Sequence, residues 1–591
     1  MTSFERVADM LGIRLRPQQR AVLRHMTSLD SAKRFFVIPA PTGTGKSILA
    51  LVYALLKGSK AYFVVPTRHL QRQYNADFQR FDLFARFGVR YAIIWGRQHF
   101  TCPFFTERFN KETPASLCPY ITGDFWVKCP YRPRRVFTST YDLPKDADKA
   151  YTARTYSGWL YFTTAQVEDG LICDYWDAKI QALRNDFVVM NYAYYLRDFL
   201  GISDFPPPRV LVFDEVHVIF DIIRNHFTFT LPGNVYSAPV SGSLVSVLSA
   251  FSRYYESRAY EAFEKKHFRA FVYYTRVLQQ VTFALNHARS FRIRTILRGG
   301  RIKYFLVVPD PVSLFVSLLR SIIDTHMTTY GEPPYILLMS ATPGAKSLWD
   351  RIFASTGYSS YYEYIPELPS PFPVENRLVF LLADPSARIN YENEVDPDVV
   401  QPFASMVLDA YRHLESLGKP PNILVHAYKL SVASAIYDTL VDLAENFGVD
   451  PGAISIATSA QRTHGEELLE EIELFKQYGG VLVTTAANQG VDLPYDTCRL
   501  QFIYRAPYPN AYQYPRPLYS YYVAKTLVQQ AGRVVRAADD WGFTVVYDRN
   551  VSTFISRNQG QFPKYFLEAI VYDSTWSDVK REVEKRVRHE G

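Results

Sequence analysis

Cysteine is scarce in this chain, five residues in 591, and an odd count of this kind does not build a disulfide scaffold. No apolar run reaches the roughly 18 residues that a membrane-spanning helix needs. The most apolar stretch, around Leu211, is broken by Asp214 and Glu215. The first ten residues carry Glu5, Arg6 and Asp9, which does not fit a signal peptide. The expectation is a soluble, intracellular protein with no membrane partner. Glycine is also sparse, at 28 residues, which excludes a collagen-like repeat. With 48% hydrophobic and 21% charged residues, the composition excludes a disordered chain. Neither sign of charge dominates. The net charge of +8 permits an anionic partner without demanding one. Aromatic side chains are what the chain has in plenty: 43 Tyr, 41 Phe and 7 Trp. They serve buried cores or, on a surface, stacking platforms for bases.

Short apolar runs alternate with helical stretches. Phe35–Pro39, Ala61–Val65, Val210–Phe213, Tyr335–Met339, Ile423–Val425, Val481–Thr484 and Thr544–Tyr547 lack polar alternation, as strands covered on both faces do. The class is therefore α/β with parallel sheets. Two stretches break the rhythm. Residues 100–175 have little periodicity and hold a basic patch, Arg132, Arg134 and Arg135. Residues 223–300 contain a helical pattern from Leu244 to Ala288, then Arg289, Arg292, Arg294, Arg298 and Arg301, with Gly299-Gly300 predicting a hairpin. Both stretches read as insertions. A joint with Pro366, Pro369, Pro371 and Pro373 marks the passage to a second α/β domain.

Ala40-Pro-Thr42-Gly43-Thr44-Gly45-Lys46-Ser47 follows an apolar strand and precedes an apolar helix. This is a phosphate loop. Its glycines let backbone N–H groups approach phosphate oxygens, Lys46 meets the β/γ-phosphates, and Ser47 ligates Mg²⁺. Asp214-Glu215-Val216-His217 ends a strand. There Asp214 is placed to hold Mg²⁺ and Glu215 to act as general base on the attacking water. Gln19, in Arg16-Pro17-Gln18-Gln19, offers an amide able to read the adenine edge of ATP. Weaker signals follow in order: Thr67-Arg68, Ser340-Ala341-Thr342, then Gln489-Gly490-Val491-Asp492. Last come Gln529, Arg533 and Arg536, read as a turn before the final strand with the two arginines on one helix face, placed to neutralise transition-state charge.

Four of the five cysteines, Cys102, Cys118, Cys129 and Cys173, fall within 72 residues. Paired knuckles of a zinc ribbon are missing. Spacing alone leaves an iron–sulfur cluster, zinc and plain buried cysteine open. Cys498, far away, reads as a small buried hydrophobe.

The ordered motifs resemble those of superfamily 2 helicases. The cysteine insertion, with a helical insertion after the Asp214-Glu215 box, further resembles the XPD/DinG family of iron–sulfur DNA helicases. Gly96-Arg97-Gln98, Phe187-Val-Val-Met-Asn191-Tyr192, Asp310-Pro311, Ser370-Pro-Phe-Pro373 and Ala506-Pro-Tyr-Pro509 are similar as well. The resemblance implies two RecA-like domains with ATP and Mg²⁺ between them, Gly490 and Asp492 contributing from the second. It implies a [4Fe–4S] cluster on Cys102, Cys118, Cys129 and Cys173, an arch domain, and 5′→3′ movement on single-stranded or forked DNA. The implied boundaries are 1–101, 174–222 and 301–375 for the first RecA-like domain, 102–173 for the cluster domain, 223–300 for the arch and 376–591 for the second RecA-like domain. The chain departs from the pattern in the open spacing of its first three cysteines, in Ala341 where the family often has Gly, and in Gln489 where it has Glu.

Arg132, Arg134 and Arg135, flanked by Tyr131 and Phe137, have the basic and aromatic mixture suited to a single strand. The expected function is an ATP-dependent DNA helicase acting as a monomer. The alternative is a nucleotide-gated DNA-binding subunit that grips without unwinding.

Overall fold

The computed structural model describes residues 2–590 other than 30–31, 59, 121–128, 139, 141, 201–203, 228, 232–242, 287, 289–291, 299–300, 308–309, 458–464, 486–492 and 510–515. It contains two seven-stranded sheets, each flanked by helices. The first runs in the order Tyr362–Tyr364, Phe35–Pro39, Tyr335–Ser340, Val210–Asp214, Ala61–Val65, Phe187–Asn191, Tyr91–Ile94. Its strands from Tyr335–Ser340 to Tyr91–Ile94 pair in parallel. The second runs Ile454–Ala457, Val481–Thr484, Ile423–His426, Leu500–Ile503, Phe543–Val546, Val379–Leu382, Ile570–Ser574, and all its pairings are parallel. Phe35–Pro39, Ala61–Val65, Val210–Asp214 and Tyr335–Ser340 are buried at every position, because helices cover both faces. The strand runs expected from the sequence are therefore all present. One more strand, Ile570–Ser574, follows the one read as final.

Contacts divide the chain into two units. One comprises Met1–Val37, Ser47–Met339 and Asp350–Glu363, the other Ile38–Lys46, Ser340–Trp349 and Tyr364–Gly591. The stretch read as aperiodic contains a three-stranded antiparallel sheet, Arg134–Phe137, Gly158–Thr163 and Ala147–Arg154. The long helical stretch is a pair of helices, Leu244–Glu264 and Phe268–Asn286, broken where Lys266 takes φ +54°. The expected hairpin pairs Arg292–Arg298 with Arg301–Val307, closing at Arg298 opposite Arg301. Phe229–Leu231 adds to it as a third strand, so this small sheet extends to Val307.

Candidate nucleotide site and cysteine insertion

The phosphate loop leaves the strand Phe35–Pro39 and enters the helix Lys46–Lys57. Gly43 and Gly45 sit at φ 82° and 77°, in the left-handed region that side chains avoid, which is why the loop needs glycine there. Thr44 tightens the loop by donating from Oγ1 to the Pro41 carbonyl at 2.7 Å. Lys46 Nζ donates to the Ala40 carbonyl at 3.4 Å. The Ala40 amide donates to the Ser340 carbonyl at 2.9 Å, and Thr342 N donates to Ser340 Oγ at 2.9 Å. The Ser340–Thr342 turn thus braces the start of the loop. The Phe372 ring lies on Gly43, so closely that a Cβ there would stand 2.6 Å from its Cζ. Thr42 and Gly43 are exposed and Lys46 and Ser47 half-buried.

Asp214 is buried at 4% exposure, and its two oxygens are separately held. Tyr74 donates its hydroxyl to Oδ2 at 2.9 Å, and Glu215 N donates to Oδ1 at 2.9 Å. Burial, and then the Asp214 charge, push the Tyr74 phenol well above its ordinary range, so it stays a donor. Tyr192 backs the turn, donating to the Asp214 carbonyl at 2.8 Å and stacking on Phe213. Glu215 itself takes φ +51°, a strained conformation for a non-glycine residue, and its carboxylate lies 3.2 Å from His217 Nδ1. Ser47 hydrogen-bonds to the Asp77 carboxyl, which burial holds above the usual carboxylate range. Tyr74 and Asp77 share the helix Arg68–Arg80. Neither was singled out in the sequence. Tyr74 stands one turn from Phe78, a spacing that core aromatics share.

Gln19 is buried at 4%, and its side-chain oxygen accepts from Arg16 N at 2.9 Å. Its carbonyl therefore caps the helix Pro17–Ser28. In the second unit the helix Arg516–Ala531 carries Gln529 and stops before Gly532. Arg533 and Arg536 consequently lie in the turn after it and not on a helix face, which corrects the expectation from their spacing. Arg533 is 8% exposed, and its charge adds to burial in lowering the pKa of the interior His426, which contacts Gln501 at 3.0 Å, to about 4. Arg536 N donates to Asp540 Oδ2 at 3.0 Å. Gly490 and Asp492 lie outside the described residues.

Two of the four clustered cysteines each precede a helix, the first of them the short helix Pro103–Phe109. Cys102 precedes that helix and is buried. Cys173, also buried, precedes the helix Asp174–Arg184, and Tyr175 there meets the Phe100 ring edge-on at 5.6 Å. Cys129 is half-buried, and Tyr131 just after it hydrogen-bonds to Glu107. The Cys118 side chain lies outside the described residues, as do those of Arg289, Arg292, Arg294, Arg298 and Arg301. Among the described residues no group of three or more His, Cys, Asp or Glu side chains is assembled for a metal. Phe105 and Phe109 pack against Phe263, Phe268 and Phe271 of the helical insertion at 5.0–6.3 Å. Gln279 donates to the Ser116 carbonyl at 2.9 Å. The two insertions are thus in direct contact.

The basic patch is mostly committed to structure. Arg134 pairs with Asp146 at 2.6 Å. Arg135 forms a two-pronged pair with Asp204, which in turn lies 2.6 Å from Lys179. A guanidinium held by a carboxylate that is 2% exposed is not offered to a nucleic acid, so Arg135 leaves the list of strand contacts. Phe137 is exposed at 67%. Cys498 is fully buried, and burial pushes its thiol up to about 12.

Residues 416–569 match the family model described as the helicase C-terminal domain, and residues 12–101 match the model described as the type III restriction enzyme, res subunit. The ATP-dependent DNA helicase YoaA of Haemophilus influenzae is 26% identical over 238 residues, which is 37% of this chain and 35% of that protein. A probable ATP-dependent helicase of Methanocaldococcus jannaschii is 24% identical over 223 residues, 36% of this chain and 30% of that protein. The chain thus spans only those shares of the relatives it matches. The solved structure of S. tokodaii Xpd4 is 12% identical, with a TM-score of 0.47, covering 95% of this chain and 100% of that one. Among the described residues no helix is long and apolar enough to cross a membrane. The two family-model matches and the YoaA relatives support the resemblance to the XPD/DinG-like superfamily 2 helicases that the order of the motifs carries.

Proposed function

We propose that this protein is a DEAH-type ATP-dependent DNA helicase that binds single-stranded DNA and moves 5′→3′ to separate the duplex, as an intracellular monomer. The observation that carries the reading is local to the first sheet. A phosphate loop with Lys46 and a braced Asp214-Glu215 pair both leave the carboxyl ends of its parallel strands, where open α/β sheets hold their ligands. Ser47 and Asp214 are the residues that would hold Mg²⁺, whose charge favours phosphate transfer. Glu215 accepts the proton of the attacking water, and Arg533 and Arg536 supply positive charge. Gln19 faces the base, and Gln529, Gly490 and Asp492 complete the nucleotide contacts. The segment 102–173 acts as a cluster domain and 223–300 as an arch. Cys102, Cys118, Cys129 and Cys173 would hold a [4Fe–4S] cluster. Its support is the resemblance carried by the sequence motifs, and the soft thiolate donors of these cysteines suit iron–sulfur chemistry. The cluster would supply a covalent staple for the insertion.

The test is strand displacement on 5′- and 3′-tailed duplexes with ATP and Mg²⁺. Displacement from the 5′-tailed substrate alone is expected. ATP hydrolysis with no displacement from either substrate would replace the helicase by a nucleotide-gated binding subunit. Iron analysis of anaerobically purified protein, with absorption near about 400 nm, is expected to report the cluster, and a colourless zinc protein would overturn it.

A subtler prediction concerns Tyr74. Tyr74→Phe removes one hydrogen bond from a buried carboxylate, a loss of about 1.5–3 kcal/mol. ATP turnover at limiting Mg²⁺ is expected to fall about tenfold and to recover as Mg²⁺ is raised. An unchanged Mg²⁺ titration would show that the phenol does not order Asp214.

A further inference from the structure

The helix Arg68–Arg80 sends Tyr74 and Asp77 towards the hydrolytic residues, but Arg68 and Arg72, one turn apart, turn to Trp95. Their guanidinium carbons lie 5.4 and 5.9 Å from the indole centroid. His99 meets the same indole edge-on at 6.3 Å, and burial together with the Arg68 charge holds it below its ordinary pKa. Both arginines are exposed, and Trp95 is half-buried. Among the described residues no carboxylate pairs with either arginine. Two nearby arginines differ: Arg135 has Asp204, and Arg97 is spread over Tyr175 and Trp176.

Position in the sheet says what this cluster is not for. Trp95 follows the edge strand Tyr91–Ile94, and Arg68 follows Ala61–Val65. Both therefore leave the sheet at the same carboxyl-end edge as Asp214. Three strand spacings separate the Trp95 strand from the Asp214 strand, about 14 Å at roughly 4.8 Å each. That is too far for Trp95 to serve the phosphates or the attacking water, and the guanidinium groups of Arg68 and Arg72 lie over its ring. Unpaired guanidinium groups over an indole instead offer two things together, positive charge for phosphates and planar faces for bases. A duplex hides its base faces, so the ligand that uses both is single-stranded.

We propose that Trp95, Arg68 and Arg72 form a stacking platform that takes one unpaired base of a single strand, with the guanidinium groups on its flanking phosphates. The proposal rests on the helicase reading and adds to it the place where the strand is gripped.

The experiment measures binding of labelled oligothymidylate of about 12 nucleotides, and of an abasic oligomer of the same length, by fluorescence anisotropy. The full chain is used without nucleotide, and each variant is checked against the wild type by thermal unfolding. Trp95→Ala is expected to weaken oligothymidylate binding about tenfold and abasic binding about twofold or less. Trp95→Leu keeps the apolar bulk without the π face and is expected to match Trp95→Ala, while Trp95→Phe recovers most of the affinity. Arg68→Ala and Arg72→Ala are expected to weaken both oligomers and to reduce the salt slope by about 0.7 each. Equal losses on both oligomers for Trp95→Ala, or full binding by Trp95→Leu, would overturn the platform while leaving the helicase reading intact. A wild-type protein that binds neither oligomer overturns both.

Discussion

Replacing Glu215 by glutamine is expected to slow ATP turnover by about two to four orders of magnitude while leaving ATP binding near that of the wild type. The side chain keeps its length and its neighbour His217, so the strained turn at φ +51° has no new reason to relax. What it loses is the ability to take a proton from water. Lys46→Ala is expected to abolish turnover by the other route, weakening the grip on the β/γ-phosphates. The two variants are told apart by measuring nucleotide affinity with a fluorescent ATP analogue alongside steady-state hydrolysis. Glu215→Gln binds and does not turn over, whereas Lys46→Ala loses affinity as well. Substantial turnover in Glu215→Gln would remove the general base from Glu215 and reassign the proton to another group. The left-handed backbone at this residue costs about 1–2 kcal/mol in an L-amino acid. It is retained by the brace beneath it, Tyr74 and Glu215 N on the Asp214 carboxylate and Tyr192 on the Asp214 carbonyl.

That brace marks the boundary of what the sequence made legible. Val210–Asp214 and the phosphate loop could be read from apolar runs and glycine spacing, because fully buried parallel strands need no polar alternation. Tyr74 carried no such signal. Its partner Asp214 is 140 residues away, and an aromatic at helical spacing looks like core whether or not its hydroxyl is used. The sheet at 134–163 was hidden for another reason. A register shift between Ala147 and Thr152 interrupts its alternation, and Arg134–Phe137 is largely exposed. Arg533 and Arg536 were identified as residues but misplaced locally, since a spacing of three fits a helix face and a turn equally well until Gly532 is seen to follow the last helical residue. Arg135 was misread because the carboxylate that claims it lies 69 residues further along.

The pairing of Arg135 leads to the largest stability effect expected in the chain. Lys179 is 5% exposed and lies 2.6 Å from both Asp198 and Asp204. Asp204, 2% exposed, also takes the guanidinium of Arg135. The network joins the strand Arg134–Phe137 of the cysteine insertion to the helices Asp174–Arg184 and Tyr192–Leu200. Burial alone would lower the Lys179 pKa, but the two carboxylates outweigh it and raise the value instead. Burial would raise Asp204, but Lys179 and Arg135 pull it down to about 2. Removing the lysine takes the cation from the largely buried Asp198 and leaves Asp204 with Arg135 alone, so Lys179→Ala is expected to cost about 3–5 kcal/mol, measured as a lower denaturation midpoint. Lys179→Met with Asp198→Asn removes that pair together, leaves Asp204 with Arg135, and is expected to recover much of that loss. The pH dependence has a fixed sign. Asp204 is depressed in the folded protein, so its contribution, about 2 kcal/mol, is fully present above the unfolded carboxylate pKa near about 4. It is lost progressively as pH falls from there through about 2. The wild type is therefore expected to lose stability over that acid window more steeply than Asp204→Asn, and equal acid slopes in the two proteins would show that the buried charge of Asp204 does not bind the insertion to the sheet.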